Sequence, residues 1–250
     1  MKLYEFCFSP TGGTERVLDI ISSVWQCEKV RVDLCNADFN FSGIEVGAED
    51  TALIAVPSFG GRVPAVVFER LGEVRGNGAN AVLICVYGNR AIDDTLTELE
   101  DNLSSFEIIA AISAVAEHSI MRNYASGRPD NEDSAELIEF AGKIKSKIEN
   151  NVKSKPILPG NHTMYKEYDG VPFKPEADKK CNHCGLCADK CPVKAINADG
   201  TTDKSKCISC MRCVSLCPRN ARNVNKVMLL VASKKMAKVC GGRKQNELFI

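Results

Sequence analysis

The segment KLYEFCFSPTGGTERVLDIISSVW, residues 2–25, carries three instructions in a row. Lys2–Phe8 is an apolar run of strand length. Ser9-Pro10-Thr11-Gly12-Gly13-Thr14 interrupts it with turn residues, and Thr14–Trp25 reads as an amphipathic helix. A strand that enters a helix through glycines and short hydroxyls suits a phosphate. Glycines let the backbone approach, hydroxyls donate, and the helix N-terminus supplies oriented N–H groups. An ordinary strand–helix turn is the alternative. The loop lacks the lysine of a G-x4-G-K-[ST] phosphate loop and is not the dinucleotide pattern G-x-G-x-x-G.

Outward from this unit the same alternation continues. Strand-like runs are expected at Lys29–Leu34, Thr51–Val56, Ala79–Tyr87 and Glu107–Ala116, with helices at Pro64–Leu71, Ala91–Leu103 and Glu132–Glu149. In the last of these, Leu137, Ile138, Ala141, Ile144 and Ile148 recur at helical spacing. Five strands with crossover helices predict an α/β fold: a doubly wound, five-stranded parallel sheet over residues 1–150. Residues 151–177, with Pro156, Pro159, Gly160, Gly170, Pro172 and Pro175, read as a connecting segment. A small cysteine-rich module follows over 178–225, and a C-terminal helix and tail over 226–250.

In an open sheet of this kind a ligand sits outside the carboxyl ends of the strands. Two more loops leave that edge. Ser58-Phe59-Gly60-Gly61-Arg62 follows the third strand, and Tyr87-Gly88-Asn89-Arg90 ends the fourth. Each sets an aromatic beside glycine, so that Phe59 and Tyr87 either stack on a flat ring or simply pack. Backbone amides of Gly60, Gly61, Gly88 and Asn89 are candidate donors to such a ring. His118, after the fifth strand, is either an ordinary surface or core histidine or a group that stabilises negative charge on the ring; Arg62 and Arg90 compete for that task.

Eight of the thirteen cysteines fall in two copies of C-x2-C-x2-C-x3-C-P: Cys181, Cys184, Cys187 and Cys191 before Pro192, then Cys207, Cys210, Cys213 and Cys217 before Pro218. The copies are offset by 26 residues. Structural zinc takes paired C-x2-C elements instead of four-cysteine runs ending in Cys-Pro. The pattern resembles the bacterial ferredoxins that hold two [4Fe-4S] clusters, in which the fourth cysteine of each run ligates the other run's cluster. That resemblance implies cluster I on Cys181, Cys184, Cys187 and Cys217, and cluster II on Cys207, Cys210, Cys213 and Cys191. Reach explains the crossing: three cysteines wrap one cubane, and the proline turns the chain away before the fourth can join them. Cys7, Cys27, Cys35, Cys85 and Cys240 read as structural.

Ser9-Pro10-Thr11-Gly12-Gly13-Thr14 is similar to the [ST]-x-T-G-x-T phosphate loop of the flavodoxins, and the later two loops stand where that family holds its flavin. The resemblance implies FMN, with Ser9, Thr11, Gly12, Gly13 and Thr14 at the phosphate. Neither later loop carries the tryptophan often used for stacking. As a whole the chain resembles the flavodoxin-like/ferredoxin fusion proteins of anaerobes. That implies an electron-transfer flavoprotein relaying electrons between FMN and two [4Fe-4S] clusters for a partner oxidoreductase or ferredoxin-type donor. The other reading is a self-contained FMN-dependent reductase of a quinone, nitro compound or porphyrin precursor. No acid–base pair stands out and no NAD(P) fingerprint is present, which favours the carrier.

Charge adds one more constraint. Residues 1–150 hold 13 Lys+Arg against 24 Asp+Glu, while residues 151–250 hold 19 against 8. Lys179, Lys180, Lys190, Lys194, Lys204 and Lys206 surround the cysteine runs and would offset thiolate charge or dock an acidic surface. The basic half lacks interleaved aromatics, so nucleic acid is not an expected partner. No apolar run reaches membrane-spanning length. Free thiols and the absence of a signal-peptide pattern predict a reducing cytoplasm. A homodimer is left open.

Overall fold

The computed structural model describes all residues 1–250. In chain order the strands are β1 (Leu3–Cys7), β2 (Lys29–Asp33), β3 (Thr51–Pro57), β4 (Asn80–Tyr87), β5 (Glu107–Val115), β6 (Glu176–Ala177), β7 (Arg222–Asn223) and β8 (Glu247–Phe249). The helices are α1 (Gly13–Ser22), α2 (Ala65–Leu71), α3 (Thr95–Asp101), α4 (Asn131–Glu149), α5 (Leu186–Asp189), α6 (Arg212–Ser215) and α7 (Lys226–Cys240).

The main sheet runs in the order β2-β1-β3-β4-β5-β8. Its first five strands are parallel, in the 2-1-3-4-5 order whose direction reverses between β1 and β3. The expected five-stranded sheet is thus corrected to six. β8, from the C-terminal tail, pairs antiparallel with β5 and covers the edge that a five-stranded sheet would leave bare. Asn246 anchors it: its Oδ1 accepts from the Val115 amide at 2.8 Å, and its Nδ2 donates to Asp133 at 3.0 Å. Glu247-Leu248-Phe249 is too short to carry a strand signal, and its pairing depends on partners more than a hundred residues away.

Side chains alternate across the pleat, so each strand feeds two cores. Phe6, Phe8, Ile54, Val56 and Leu83 pack under α2 and α3 with Val67, Leu71, Leu96 and Leu99. Leu3, Leu53, Val82, Ile84 and Ile112 face the other way, onto α1 and α4 through Val17, Leu18, Ile21, Leu137, Ala141 and Ile144. Asp130 caps α4 by accepting from the Asp133 amide at 3.1 Å, while Asp133 accepts from the Asp130 amide at 2.9 Å. Two helix ends differ from the sequence expectation. α1 stops at Ser22, and α3 begins only at Thr95 because Arg90–Asp94 form a loop with Asn89 and Asp93 at positive φ.

Residues 178–225 form two short helices joined to the β6–β7 ribbon and sit against the sheet's carboxyl edge. Buried Arg70 on α2 donates to Leu34 O and, at 2.5 Å, to Pro192 O of the first cysteine run. Arg212 Nη1 reaches Ser9 O at 3.3 Å, and Lys194 pairs with Asp38 at 2.7 Å. Among the six lysines expected to offset thiolate charge, Lys194 is the one that meets the acidic sheet half across this junction; Lys190, Lys204 and Lys206 pair with Asp189, Glu176 and Asp203 of their own surroundings.

Candidate functional site

Four loops leave the carboxyl ends of β1, β3, β4 and β5 and enclose one cavity of about 310 Å³. The volume is at the lower end of the range of small-molecule sites, roughly 300–1,000 Å³. Thr11, Gly13 and Thr14 line it from the first loop, Ser58, Phe59 and Gly60 from the second, Tyr87, Gly88 and Arg90 from the third, and His118 from the fourth. Ser9, Gly12, Gly61, Arg62 and Asn89 stand outside its wall.

The first loop presents free donors. Gly12, at φ 90, occupies the N-cap of α1 in the left-handed region, where a side chain would be strained. The Ser9 hydroxyl accepts from the Glu15 amide at 2.9 Å and thereby closes the turn. The amides of Thr11 and Gly12 donate to no acceptor in the protein, and neither the Thr11 nor the Thr14 hydroxyl has a hydrogen-bond partner. Donors that converge at a helix N-terminus are a receptacle for an anion.

In the second and third loops the amides of Gly60, Gly61, Gly88 and Asn89 are likewise unbonded. Gly88 has a packing reason to be glycine, because a Cβ there would lie 2.8 Å from the His118 ring and backbone. Tyr87 lines the cavity, its hydroxyl donating to Gln245 O at 3.2 Å and pushed up to about 12 by burial. The Asn89 side chain has a task of its own: its Nδ2 donates to Cys240 O and Gly242 O, both at 2.7 Å, and ties α7 to the third loop.

The three candidates for holding negative ring charge separate. Arg62 is engaged elsewhere: Glu98 takes its Nε at 2.9 Å and Nη2 at 2.5 Å, and Lys166 O takes Nη1 at 2.8 Å. Arg90 lines the cavity but is paired to Asp93. His118 Nδ1 accepts from the Ile120 and Met121 amides, each at 3.2 Å. An imidazole that accepts at Nδ1 carries its proton at Nε2. Burial, with Arg90 adding to it, holds the ring's pKa below the ordinary histidine value, so His118 is a neutral Nε2–H donor at neutral pH.

The cover of the cavity comes from outside the sheet. Tyr168, Val171 and Phe173 of the connecting segment, Ser209 and Cys210 of the second cysteine run, and Ala232 and Met236 of α7 complete the wall. The Tyr168 ring packs directly on Gly60, so closely that a Cβ at Gly60 would overlap it. Sequence reasoning passed over Tyr168 because its neighbours break all periodicity; an aromatic within a proline- and glycine-rich linker was the available signal.

The cysteines divide into two groups. Cys181, Cys184, Cys187 and Cys217 line one cavity of about 250 Å³, and Cys191, Cys207, Cys210 and Cys213 line a smaller one beside it. Each group draws three thiols from one run and the fourth from the other. The donor chemistry fits iron–sulfur ligation: amides point at sulfur, Ala195 N to Cys191 Sγ and Ala221 N to Cys217 Sγ at 3.2 Å each, and His183 N to Cys181 Sγ at 3.4 Å. Left-handed Gly185 and Met211 begin α5 and α6 and let the chain wrap each group. Arg222 lines both cavities, and its buried Nε has no hydrogen-bond partner within the protein. Cys210 lines the second thiol cavity and also the cavity at the sheet edge. Of the other five cysteines, Cys7, Cys35, Cys85 and Cys240 are buried and Cys27 is half-buried.

No helix is long and apolar enough to cross a membrane. A family model described as NosR matches residues 179–235, the cysteine module and most of α7. No curated protein matches the sequence. Among solved structures, the chain is similar to rubredoxin oxygen:oxidoreductase from Desulfovibrio gigas, at 14% identity and TM-score 0.43, over 61% of this chain and 37% of that one. It is also similar to a flavodoxin from the domain Archaea, at 10% identity and TM-score 0.43, over 60% of this chain and 99% of that one. A flavodoxin of Streptococcus pneumonia TIGR4 aligns at 18% identity and TM-score 0.40, over 58% of this chain and 97% of that one. All three are likenesses at low identity.

Proposed function

We propose that the chain is an electron-transfer flavoprotein that relays electrons between FMN at the sheet edge and two [4Fe-4S] clusters in the thiol cavities, on behalf of a partner oxidoreductase. The observation that carries this is Cys210, whose side chain stands in the wall shared by the second thiol cavity and the sheet-edge cavity. Clusters move single electrons and a flavin takes one or two, so the pair would convert between two-electron and one-electron chemistry.

The chain's own residues give each station its place. Thr11, Gly12, Gly13 and Thr14 would hold the FMN phosphate with hydroxyls and amides that have no partner in the protein. Phe59, Tyr87 and Tyr168 would bound the ring. His118, with Nδ1 accepting from two amides, would offer its Nε2 proton toward negative charge on the ring without carrying a positive charge itself. Cys184 is exposed, so the first thiol group faces the surface, whereas buried Cys191 and Cys210 place the second group inward. That difference supports the order surface, cluster I, cluster II, FMN.

The cover formed by Tyr168, Phe173, Ala232 and Met236 favours the carrier over the self-contained reductase, because it leaves a small acceptor little direct approach to a bound ring. Anaerobically isolated protein is expected to hold about eight irons and one FMN. Replacing cluster ligands should abolish delivery to a protein acceptor, while artificial two-electron reduction of FMN persists. A cluster-free variant that turned over a small acceptor at the unmodified rate with a physiological donor would overturn the carrier reading in favour of the reductase.

A further inference from the structure

We propose that Arg222 is a potential-setting residue: a fixed buried cation between the two clusters that raises the reduction potential of both, a task its repeat mate Ile196 cannot perform. The proposal rests on the two-cluster reading above.

The internal repeat isolates the position. An offset of 26 residues superimposes Cys191-Pro192 on Cys217-Pro218, and it also superimposes Ile196 on Arg222. Both Ile196 and Arg222 line both thiol cavities, so they are equivalent positions between the two ligand groups. One is apolar and the other carries a full charge. The repeat itself does not require a charge at this position, since the mate fills the corresponding place with hydrocarbon.

Arg222 is 2% exposed, and it is held without a carboxylate. Its Nη1 donates to Gly200 O at 2.6 Å, and its Nη2 donates to Pro175 O at 2.9 Å and Thr202 Oγ1 at 2.5 Å. Those neutral acceptors fix the fork but do not balance the charge, and a buried unpaired cation is costly. Nε is buried and has no hydrogen-bond partner. The groups able to supply negative charge in the two cavities that Arg222 lines are the thiolates, since neither lining includes a carboxylate.

Reduction of a cluster adds one negative charge inside a poorly screened interior. A cation fixed nearby stabilises the reduced state more than the oxidised state, so the potential rises. A guanidinium does not deprotonate in the accessible pH range, so the bias is permanent.

The test compares Arg222→Gln with Arg222→Lys by iron analysis and potentiometric EPR on the full chain. In loaded Arg222→Gln, the reduced-to-oxidised ratio of each cluster at a fixed potential should fall at least tenfold, about 59 mV for a one-electron couple. Arg222→Lys, which keeps the charge, should stay within about threefold of the unmodified protein. A loaded Arg222→Gln with unmodified potentials overturns the proposal, because a purely structural arginine would move stability and not potential. Should Arg222→Gln fail to take up iron, unmodified protein labelled with 15N at the arginine guanidinium decides. Pulsed EPR of its reduced clusters should show a nitrogen coupling that Arg222→Lys lacks; its absence overturns the proposal. Unmodified protein that holds no iron would instead defeat the two-cluster reading itself.

Discussion

The two cysteine runs are alike in spacing and unlike in surroundings. Cys181, Cys184, Cys187 and Cys217 gather where Cys184 is exposed and no residue of the sheet lines the cavity. Cys191, Cys207, Cys210 and Cys213 gather inward, with Cys191 and Cys210 buried and Cys210 shared with the sheet-edge cavity. Burial pushes the Cys213 thiol up to about 11 and Cys210 further still, whereas amides of Ala221, Arg219 and Arg222 outweigh burial at Cys217 and hold it low. A duplicated motif therefore yields two different environments, one at the surface and one against the sheet-edge cavity, which the proposed relay would use for exchange with the outside and with the flavin. The difference is made by what packs around the runs.

Single-ligand substitutions test that contrast most severely. Cys191→Ala should destroy the inner cluster and Cys217→Ala the outer one, each lowering iron from about eight to about four per chain. With Cys191→Ala the flavin should no longer equilibrate with the surviving cluster; with Cys217→Ala it still should, while reduction by an external protein donor slows. Iron analysis with EPR and stopped-flow absorbance reads all three outcomes. Loss of only each run's own cluster would show that the fourth thiols are not exchanged between runs.

The next largest effect lies across the wall from Cys210. Thr11→Val with Thr14→Val removes two hydroxyl donors from a charged phosphate, each hydrogen bond to a charged group being worth roughly 1.5–3 kcal/mol. FMN affinity should fall at least tenfold by fluorescence titration, with iron content unchanged. Equal affinity of the unmodified protein for riboflavin and FMN would show that the loop does not read phosphate.

What was legible in the sequence was whatever is written locally. The strand–loop–helix at residues 2–25 announces its turn through Pro10, Gly12 and Gly13, and the parallel strands announce themselves as apolar runs. The cysteine spacing is also local. β8, Tyr168 and the tasks of Arg62 and Asn89 were not legible, because each depends on a residue distant in sequence: Ser113 and Glu247, Gly60 and Tyr168, Arg62 and Glu98, Asn89 and Cys240. Arg62 looks like a ligand group on a loop because a polar side chain there does not reveal whether a protein partner will claim it, and nothing local announces that the Asn89 side chain holds α7.

The cover over the sheet-edge cavity offers a graded probe. Gly88→Ala sets a methyl 2.8 Å from His118, and overpacking of this kind costs typically about 1–3 kcal/mol. FMN affinity should fall as the fourth loop is displaced, and thermal unfolding should come earlier. Gly78→Ala, at a positive-φ glycine with open space for a Cβ, strains the backbone without touching the cavity, whereas Gly88 is not in the left-handed region and is limited by contact alone. A Gly88→Ala protein with unmodified flavin affinity would show that the close approach of His118 to the third loop is not part of the binding site.

The smallest expected effect is a pH dependence of stability centred on His118. Burial, joined by the Arg90 charge, lowers its pKa in the folded chain, whereas in the unfolded chain it titrates near 6.5. The unfolded state therefore binds the proton first. As pH falls below about 6.5 the folded state loses stability, with a slope of at most about 1.4 kcal/mol per pH unit, until the folded histidine also protonates. Above that window the contribution is constant. Protonation requires Nδ1 to give up the Ile120 and Met121 amides, because a doubly protonated ring accepts nothing there. His118→Gln should flatten the stability curve between pH 7 and 5, read by chemical unfolding at fixed salt. Flavin affinity of the unmodified protein should fall over the same interval as the fourth loop rearranges. A stability curve with the same slope in His118→Gln would assign the acid sensitivity to other groups and leave His118 as a packing residue beside Gly88.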